Sequence, residues 1–179
     1  MPERLTAVRD QLAAAPADRV VEAVADALDQ TYAVTDVDLL QVDYRLSSLL
    51  PLLGGGPAVT HPGDPAWRTF DHQAEVVAGH TGYLPVTVRG ERLGVLRCAP
   101  YPGGARERGE LARIATWLAH ELQAARAGTD RYTVAARTRR LTLAAEMQWE
   151  LLPGRSRTGP AYGLAGQLEP AYAVRGDSF

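Results

Sequence analysis

Few side chains in this sequence are suited to metal or redox chemistry, and those few are far apart. There is one cysteine, Cys98, and there are four histidines. Zinc sites draw their ligands from closely spaced Cys and His pairs, a spacing that this sequence lacks. A single cysteine also excludes an intramolecular disulfide. Because Cys98 lies in a predicted strand, we expect it to pack as a small hydrophobic side chain, so these residues favour neither a zinc site nor a redox centre.

The composition indicates a globular protein without a strong attraction to nucleic acid or membranes. The hydrophobic fraction is 46% and the formal net charge is −2, so no basic field surrounds the molecule. The arginines at Arg131, Arg137, Arg139 and Arg140 are expected to form a solvated helix face. No apolar run is long enough to span a bilayer, and the N-terminus lacks the core of a signal peptide. We therefore expect a cytoplasmic protein with no nucleic-acid partner and no membrane partner.

Three segments carry apolar residues at helical spacing, and each predicts a helix with one buried face. The first precedes Pro16, the second begins at Asp18 as its N-cap, and the third follows Gly104. A further helical stretch follows a break or bend at Gly128 and Thr129. The predicted buried positions are Leu5, Val8 and Leu12 in the first helix, Val20, Val24, Leu28 and Tyr32 in the second, and Leu111, Ile114, Leu118, Leu122 and Ala125 in the third.

The segments between these helices predict strands and loops. Residues 35–53 are β-like with a turn near Tyr44, and the glycines at 54–56 require a loop. A short helix capped by Asp64 follows, and then a brief strand. The clearest signal is the hairpin over 83–98, in which apolar and polar residues alternate around a turn. Beyond the last helix, residues 154–160 are predicted to form a loop, and two strands are expected around a turn at Pro170.

Residues 18–126 resemble a GAF domain in the order of their elements. The hairpin is the most specific part, with Pro85 in its first strand and Gly94, Val95 and Leu96 opening its second. The resemblance implies an α/β (α+β) fold in which helices flank an antiparallel sheet. Such a sheet buries one face and leaves the other available, and GAF domains use the available face as a small-molecule cavity.

This resemblance implies that four side chains lie near such a cavity, namely Trp67, Phe70, His72 and His80. The alternative for the two aromatic residues is an ordinary place in the core, and for the two histidines a place at the surface. The acidic and amide signature of cyclic-nucleotide-binding GAF domains is not recognisable, and Cys98 does not match a bilin attachment site. The sequence leaves the identity of any small-molecule effector open.

The C-terminal segment carries a second resemblance. The stretch LAAEMQWELLP resembles the opening helix of SpoIIE/RsbU-type phosphatases, which carries a Met/Leu-Gln pair and ends in Leu-Leu-Pro. A strand ending in Pro-Ala follows, and VRGDSF then resembles the family's Val-x-Gly-Asp segment, with Arg175 where the family often has glycine. The matching residues are Ala144, Met147, Gln148, Leu151, Leu152, Pro153, Pro170, Ala171, Val174, Gly176 and Asp177.

Asp177 is the residue to which this second resemblance gives a chemical role. These phosphatases hydrolyse phosphoserine with two divalent cations, which oxygen ligands hold and which activate a water molecule. The family's aspartate at this position is a metal ligand, so the resemblance implies that Asp177 binds manganese or magnesium in the full-length enzyme. One carboxylate cannot hold two cations, so residues 1–179 alone are expected to be inactive and to hold no cofactor. The alternative is a simple turn aspartate after Gly176.

Together the two resemblances divide the chain into an N-terminal helix (1–17), a GAF-like sensor (18–126), a linker helix (127–153) and a truncated start of a phosphatase domain (154–179) with a short β-like tail. They imply a regulatory part of a bacterial protein-serine/threonine phosphatase. Its substrate would be a phosphoprotein such as an anti-sigma-factor antagonist. The alternative is a stand-alone GAF module for small-molecule binding and dimerisation. A histidine-kinase sensor is disfavoured, because residues 128–153 contain no histidine.

The linker is also expected to pair with a second copy. Val134, Leu141 and Gln148 fall at seven-residue spacing, with Ala144 and Leu151 three residues after two of them. Gln148 makes this an imperfect coiled-coil seam, but an isolated amphipathic helix needs cover, and SpoIIE/RsbU-like phosphatases dimerise through similar linkers. We therefore expect a homodimer through the terminal and linker helices.

Overall fold

A computed structural model describes residues 3–137, 156–159 and 161–165. The helices are α1 (Glu3–Ala14), α2 (Val20–Tyr32), α3 (Pro65–His72), α4 (Ala105–Ala125) and α5 (Arg131–Ala135), with a 3-10 turn over Ala17–Arg19. The strands are β1 (Asp36–Val42), β2 (Leu49–Pro51), β3 (Val76–Ala78), β4 (Thr81–Val88), β5 (Glu91–Ala99), β6 (Ser156–Gly159) and β7 (Tyr162–Ala165).

Five of these strands form one antiparallel sheet in the order β2-β1-β5-β4-β3. The predicted hairpin is β4 and β5, joined at Arg89 and Gly90, whose φ angles of 50° and 82° fit a tight turn. Gly94 allows β1 and β5 to approach closely, because a Cβ at this position would lie 2.3 Å from the carbonyl oxygen of Leu40. The predicted fold, an antiparallel sheet flanked by helices, is confirmed.

Helices α2 and α4 pack on one face of the sheet, α1 packs against these two helices, and the three together form the larger core. The alternation in β4 and the stripe on α4 follow the predicted pattern, because their apolar positions are buried. We call this set the helix-side core. It includes Leu5, Val8 and Leu12 of α1, Val21, Val24 and Leu28 of α2, Leu84, Val86, Leu96 and Cys98 of the sheet, and Leu111, Ile114, Leu118 and Leu122 of α4.

Helix α3 packs alone on the opposite face of the sheet, over a smaller set of apolar residues. We call this set the outer-face cluster, and it consists of Leu40, Val42, Leu49, Ala66, Trp67, Phe70 and Val95. Strand β1 serves both faces, because its alternate side chains belong to different cores. The sheet is therefore covered by helices on both faces, with three helices on one side and a single short helix on the other.

Two local predictions are wrong. Asp18 does not cap α2, which begins at Val20 after the 3-10 turn and has no side-chain cap. The amide of Val20 instead donates to the hydroxyl oxygen of Tyr132, at 3.2 Å, so a distant residue takes the place of a cap. The second error is the loop predicted over 154–160, which contains β6 paired with β7. The glycines and the proline of this segment concealed the pairing in the sequence.

The chain leaves α4 through a tight turn and not through a continuous helix. The amides of Gly128 and Thr129 donate to the carbonyl oxygen of Ala125, at 2.9 and 3.0 Å, and α5 follows. Residues 138–153 of the predicted linker lie outside the described residues, and so do Pro170 and Asp177. The division of the chain at residue 126 therefore stays a prediction.

Candidate functional site on the outer face of the sheet

The outer-face cluster is held in place by the start of α3. Asp64 caps this helix as predicted, because its side chain accepts a hydrogen bond from the amide of Ala66 at 2.8 Å. Pro65 occupies the first turn, where its missing N–H costs nothing. This start directs Trp67 and Phe70 towards the sheet, where both are buried. Their rings meet edge to face at 87°, with centroids 5.4 Å apart, a favourable geometry for aromatic pairs.

Polar contacts fix both ends of this aromatic pair. The indole nitrogen of Trp67 donates to the carbonyl oxygen of Val59 at 2.9 Å, which ties α3 to the preceding loop. Arg92 of β5 lies over the Phe70 ring at 5.9 Å and donates to the carbonyl oxygens of Phe70 and Asp71 at the end of α3, at 3.3 and 3.2 Å. The two rings therefore occupy the space between α3 and the sheet themselves.

The two predicted histidines are not brought to this cluster. His72 is the last residue of α3 and is exposed, and His80 is exposed at the turn between β3 and β4. Trp67 and Phe70 are packed in the outer-face cluster, as the alternative of an ordinary core position had it. They lie on the face of the sheet where a GAF cavity was expected. A role for any of these four side chains in contacting a ligand stays a prediction.

A buried carboxylate organises the loop beside the cluster. Asp38 of β1 is 1% exposed and accepts three backbone N–H groups, from Leu52 and Leu53 at 3.0 and 2.9 Å and from Gly54 at 2.9 Å. These three hydrogen bonds offset the energetic cost of burying a charged carboxylate. A larger residue at position 54 would force the loop or the Asp38 carboxylate to shift, because a Cβ there would lie 2.8 Å from that carboxylate.

A second buried aspartate, Asp43, fixes the turn after β1. One of its carboxylate oxygens accepts the amides of Ser47 and Ser48, at 2.8 and 3.0 Å, and the other accepts the Ser47 hydroxyl at 3.1 Å. The amide of Asp43 also donates to the carbonyl oxygen of Ser48 at 2.9 Å. Asp38 within β1 and Asp43 directly after it thus anchor the two loops beside the outer-face cluster.

The outer face becomes polar near Arg97, towards the C-terminal end of β5. The guanidinium of Arg97 pairs with the carboxylate of Asp36 at 2.8 Å, and it lies opposite Asp38 in the register of the sheet. Tyr83 is half-buried on the neighbouring strand. Its pKa is raised, first by burial and then by the negative charge of Asp64. An aromatic region and a polar region therefore lie side by side on one face, an arrangement that suits recognition of a small polar molecule.

Among the described residues, neither the cysteine nor a cluster of possible metal ligands forms part of the outer face. Cys98 is fully buried in the helix-side core, away from α3, and burial raises the pKa of its thiol to about 12. A thiol of this kind is not a nucleophile at neutral pH. Within the described parts of the chain, no three His, Cys, Asp or Glu side chains converge as metal ligands would. No helix among the described residues has the length and hydrophobicity to cross a membrane.

Sequence reasoning missed the polar residues of this face. Asp38 lies in β1, Asp43 directly after β1 and Arg97 in β5, and none of the three was singled out. The available signal was Asp38 itself, a charged residue between Val37 and Leu39 in an otherwise apolar strand. A buried charge in such a place requires partners, but its partners lie in a loop whose path the sequence does not reveal.

Comparison with solved structures identifies the architecture. This chain, a mixed α/β domain with a five-stranded antiparallel sheet between helices, resembles the GAF domain from a phosphoenolpyruvate-protein phosphotransferase of Coxiella burnetii. That structure is similar at a TM-score of 0.61 and 15% identity, over 70% of this chain and 94% of that one. The GAF domain of the Acinetobacter phosphoenolpyruvate-protein phosphotransferase is similar at 0.59 and 13%, over 71% and 95%. The chain therefore has the GAF fold.

A third similar structure comes from an enzyme. It is the free methionine-R-sulfoxide reductase of Neisseria meningitidis in complex with its substrate, with a TM-score of 0.59 and 16% identity, over 71% of this chain and 90% of that one. At such identities the likeness shows the fold alone. No protein-family model matches the chain, and no curated protein matches it.

Proposed function

We propose that this chain is the sensory and linker part of a SpoIIE/RsbU-type protein-serine/threonine phosphatase that acts in cytoplasmic signal transduction. The observation that carries the proposal is the order of parts. A GAF fold ends in α4 and α5, and the following residues carry the opening motif of the phosphatase, from Ala144 to Asp177. GAF domains are sensory modules, so the part that is described has the fold expected of a regulator.

The outer face is the proposed place for a small-molecule effector. It combines the aromatic pair Trp67 and Phe70 with the polar region around Tyr83 and Arg97. Because the two rings fill the space below α3, a ligand would have to displace α3 or bind at the polar end. Either event would alter contacts on β1, the strand that both cores share.

Asp177 is the proposed metal ligand of the parent enzyme. Manganese or magnesium would supply the charge that activates water and stabilises the phosphoryl group. This single carboxylate does not complete a two-cation site, which needs several oxygen ligands. The parent enzyme is proposed to hydrolyse phosphoserine on a partner protein such as an anti-sigma-factor antagonist, whereas residues 1–179 alone should hydrolyse no phosphoserine substrate.

The test is manganese-dependent phosphoserine hydrolysis by the full-length protein that carries these residues. Asp177→Asn keeps the size of the side chain but removes its charge, so the activity should fall by several orders of magnitude. Asp26→Asn, at an exposed position of α2, is the matched control and should retain full activity. Circular dichroism must show that both variants are folded. If folded Asp177→Asn retains near-wild-type activity, the metal assignment is wrong.

The same experiment separates the main proposal from a stand-alone binding and dimerisation module. A stand-alone module has no manganese-dependent hydrolase activity in the wild-type full-length protein, whereas a phosphatase does. The observation that favours the alternative is that the GAF fold forms both of its cores from described residues that precede position 137. An inactive, correctly folded full-length protein supplied with manganese would therefore overturn the phosphatase proposal.

We also propose that the chain forms a homodimer through its terminal and linker helices. Val134 of α5 is the described member of the predicted seam and is 45% exposed, and Val77 of β3 is equally exposed at 47% on the edge of the sheet. Val134→Glu should weaken the dimer, whereas Val77→Glu should not. Light scattering at high micromolar concentration is the measurement, and a monomeric wild type would contradict the proposal.

A further inference from the structure

The segment that follows α4 is bound to the domain at both of its ends. We call residues Arg131–Ala136 the exit segment, since they lead from the GAF fold into the proposed linker. It contains α5, which has only five residues. A helix of this length is not stable by itself in water, so contacts with the rest of the domain must hold it.

The first half of the exit segment is docked on the beginning of α2. Tyr132 is 4% exposed within the helix-side core, and its hydroxyl oxygen accepts the amide of Val20 at 3.2 Å. Arg131 pairs with Glu22 at 2.7 Å and donates a hydrogen bond to the carbonyl oxygen of Asp18. These contacts satisfy one of the amide groups that the start of every helix leaves unpaired, so α2 is itself completed by the exit segment.

The backbone of the exit segment is docked on the end of β1 and the turn beyond it. The side-chain amide of Gln41 donates to the carbonyl oxygen of Tyr132 at 2.6 Å. The backbone amide of Tyr44 donates to the carbonyl oxygen of Ala136 at 3.2 Å. Gln41 stands between Leu40 and Val42, which both belong to the outer-face cluster. A displacement of the end of β1 on the outer face would therefore move the groups that hold the exit segment.

We propose that the exit segment is a regulatory latch, closed when it is docked on α2 and β1 and open when it is released. This proposal deepens the proposed function, on which it rests, by naming the element through which the sensor reaches the linker. Binding or rearrangement on the outer face shifts β1, and the shift changes the population of the closed state. Such a two-state element is the physical requirement for coupling between distant sites.

The latch is tested by hydrogen–deuterium exchange of the 179-residue chain, followed by mass spectrometry. The double variant Gln41→Met/Tyr132→Phe removes two hydrogen bonds and preserves the size of both side chains. Exchange of the amides over 128–137 should become faster, on the order of tenfold or more, while α4, β4 and β5 keep their protection. The matched control is Gln30→Met/Tyr101→Phe, which changes the same residue types away from both the exit segment and the outer-face cluster and should leave the exchange of the exit segment unchanged.

Two outcomes of this first experiment would overturn the latch. One is a wild-type exit segment that exchanges as fast as an unfolded peptide, because it would then not be docked. The other is a double variant whose exit segment exchanges at the wild-type rate. These readouts need no phosphatase activity, so failure of the latch is distinguishable from failure of the proposed parent enzyme.

The coupling to the outer face is tested with a second pair of variants. Phe70→Leu loosens the outer-face cluster, and Val86→Ala removes a comparable contact from the helix-side core. Global stability of both variants is measured by denaturant unfolding, and exchange is compared under conditions of equal global stability. Phe70→Leu should accelerate exchange of the exit segment several-fold, and Val86→Ala should not. Equal exchange in the two variants would overturn the regulatory role.

Discussion

The two faces of the sheet are built on different principles. The helix-side core is large, and its side chains come from α1, α2, α4 and three strands. The outer-face cluster is small, rests on one eight-residue helix and borders buried or half-buried polar groups such as Asp38, Asp43 and Arg97. The difference indicates that the first face supplies most of the stability, and that the second can rearrange without unfolding the domain.

The largest loss of stability is expected from truncating a side chain in the helix-side core. Leu118 of α4 is 0% exposed and belongs to the helix-side core, where close packing should leave a cavity in place of a missing side chain. Leu118→Ala should lower the free energy of unfolding by about 4 kcal/mol. Urea unfolding measures the change, and a loss below about 1 kcal/mol would show that this core is loosely packed.

Truncating a side chain in the outer-face cluster should lower the free energy of unfolding by less, although the side chain removed is larger. Phe70 belongs to α3, the single helix on this face, and α3 can settle onto the sheet when the ring is removed. Phe70→Ala should therefore cost about 2.5 kcal/mol, below the usual range for such a change in a core. If urea unfolding shows that Phe70→Ala is as destabilising as Leu118→Ala or more so, the two faces do not differ as we describe.

The buried carboxylate of the outer face should have the next largest effect. Asp38→Asn replaces a charged acceptor of three backbone amides with a neutral group that carries its own donors, at a cost of about 2 kcal/mol. Asp36→Asn is the matched control on the same strand, because Asp36 is exposed and its carboxylate pairs with Arg97 at the surface. The control should cost less than about 0.5 kcal/mol. Equal effects of the two substitutions would refute the role of Asp38 as the anchor of the loop.

The smallest effect concerns Cys98 and is visible only at alkaline pH. Burial raises the pKa of this thiol from 9.0 to about 12. Between these values the unfolded chain loses the proton and the folded chain keeps it, so the stability must fall as the pH rises. Wild type should therefore lose about 1 kcal/mol more than Cys98→Ala between pH 8 and pH 10. Identical pH dependence of the two proteins in urea unfolding would show that the thiol is not shielded.

The sequence predicted most of the helix-side core because its signals are periodic and local. The stripe on α4 and the alternation in β4 each depend on neighbouring residues, and both are confirmed. The Asp64 cap of α3 on the outer face is equally local and is also confirmed. The prediction that Asp18 caps α2 failed because the true partner is not local. The group that satisfies Val20 is Tyr132, which is 112 residues away along the chain, and no local pattern reports such a partner.

The polar part of the outer face could not be predicted for the same reason. Asp38 is bound by amides of Leu52, Leu53 and Gly54, and the exit segment by Gln41 and Tyr44. These contacts join loops whose paths are set by tertiary packing and not by the spacing of residue types. Trp67 and Phe70 were placed near a cavity by the GAF resemblance, and the structure packs both in the outer-face cluster, while their role towards a ligand stays a prediction.

The most direct test of the difference between the two faces is native-state hydrogen exchange of the wild-type chain in increasing, sub-denaturing urea. Amides of β4, β5 and α4 should exchange only through global unfolding, with the full urea dependence of the unfolding free energy. Amides of α3 and of the loop over 52–64 should exchange through a smaller opening with lower free energy and weak urea dependence. If α3 and α4 exchange with the same free energy and the same urea dependence, the outer face is not an independently responsive region, and our account is contradicted.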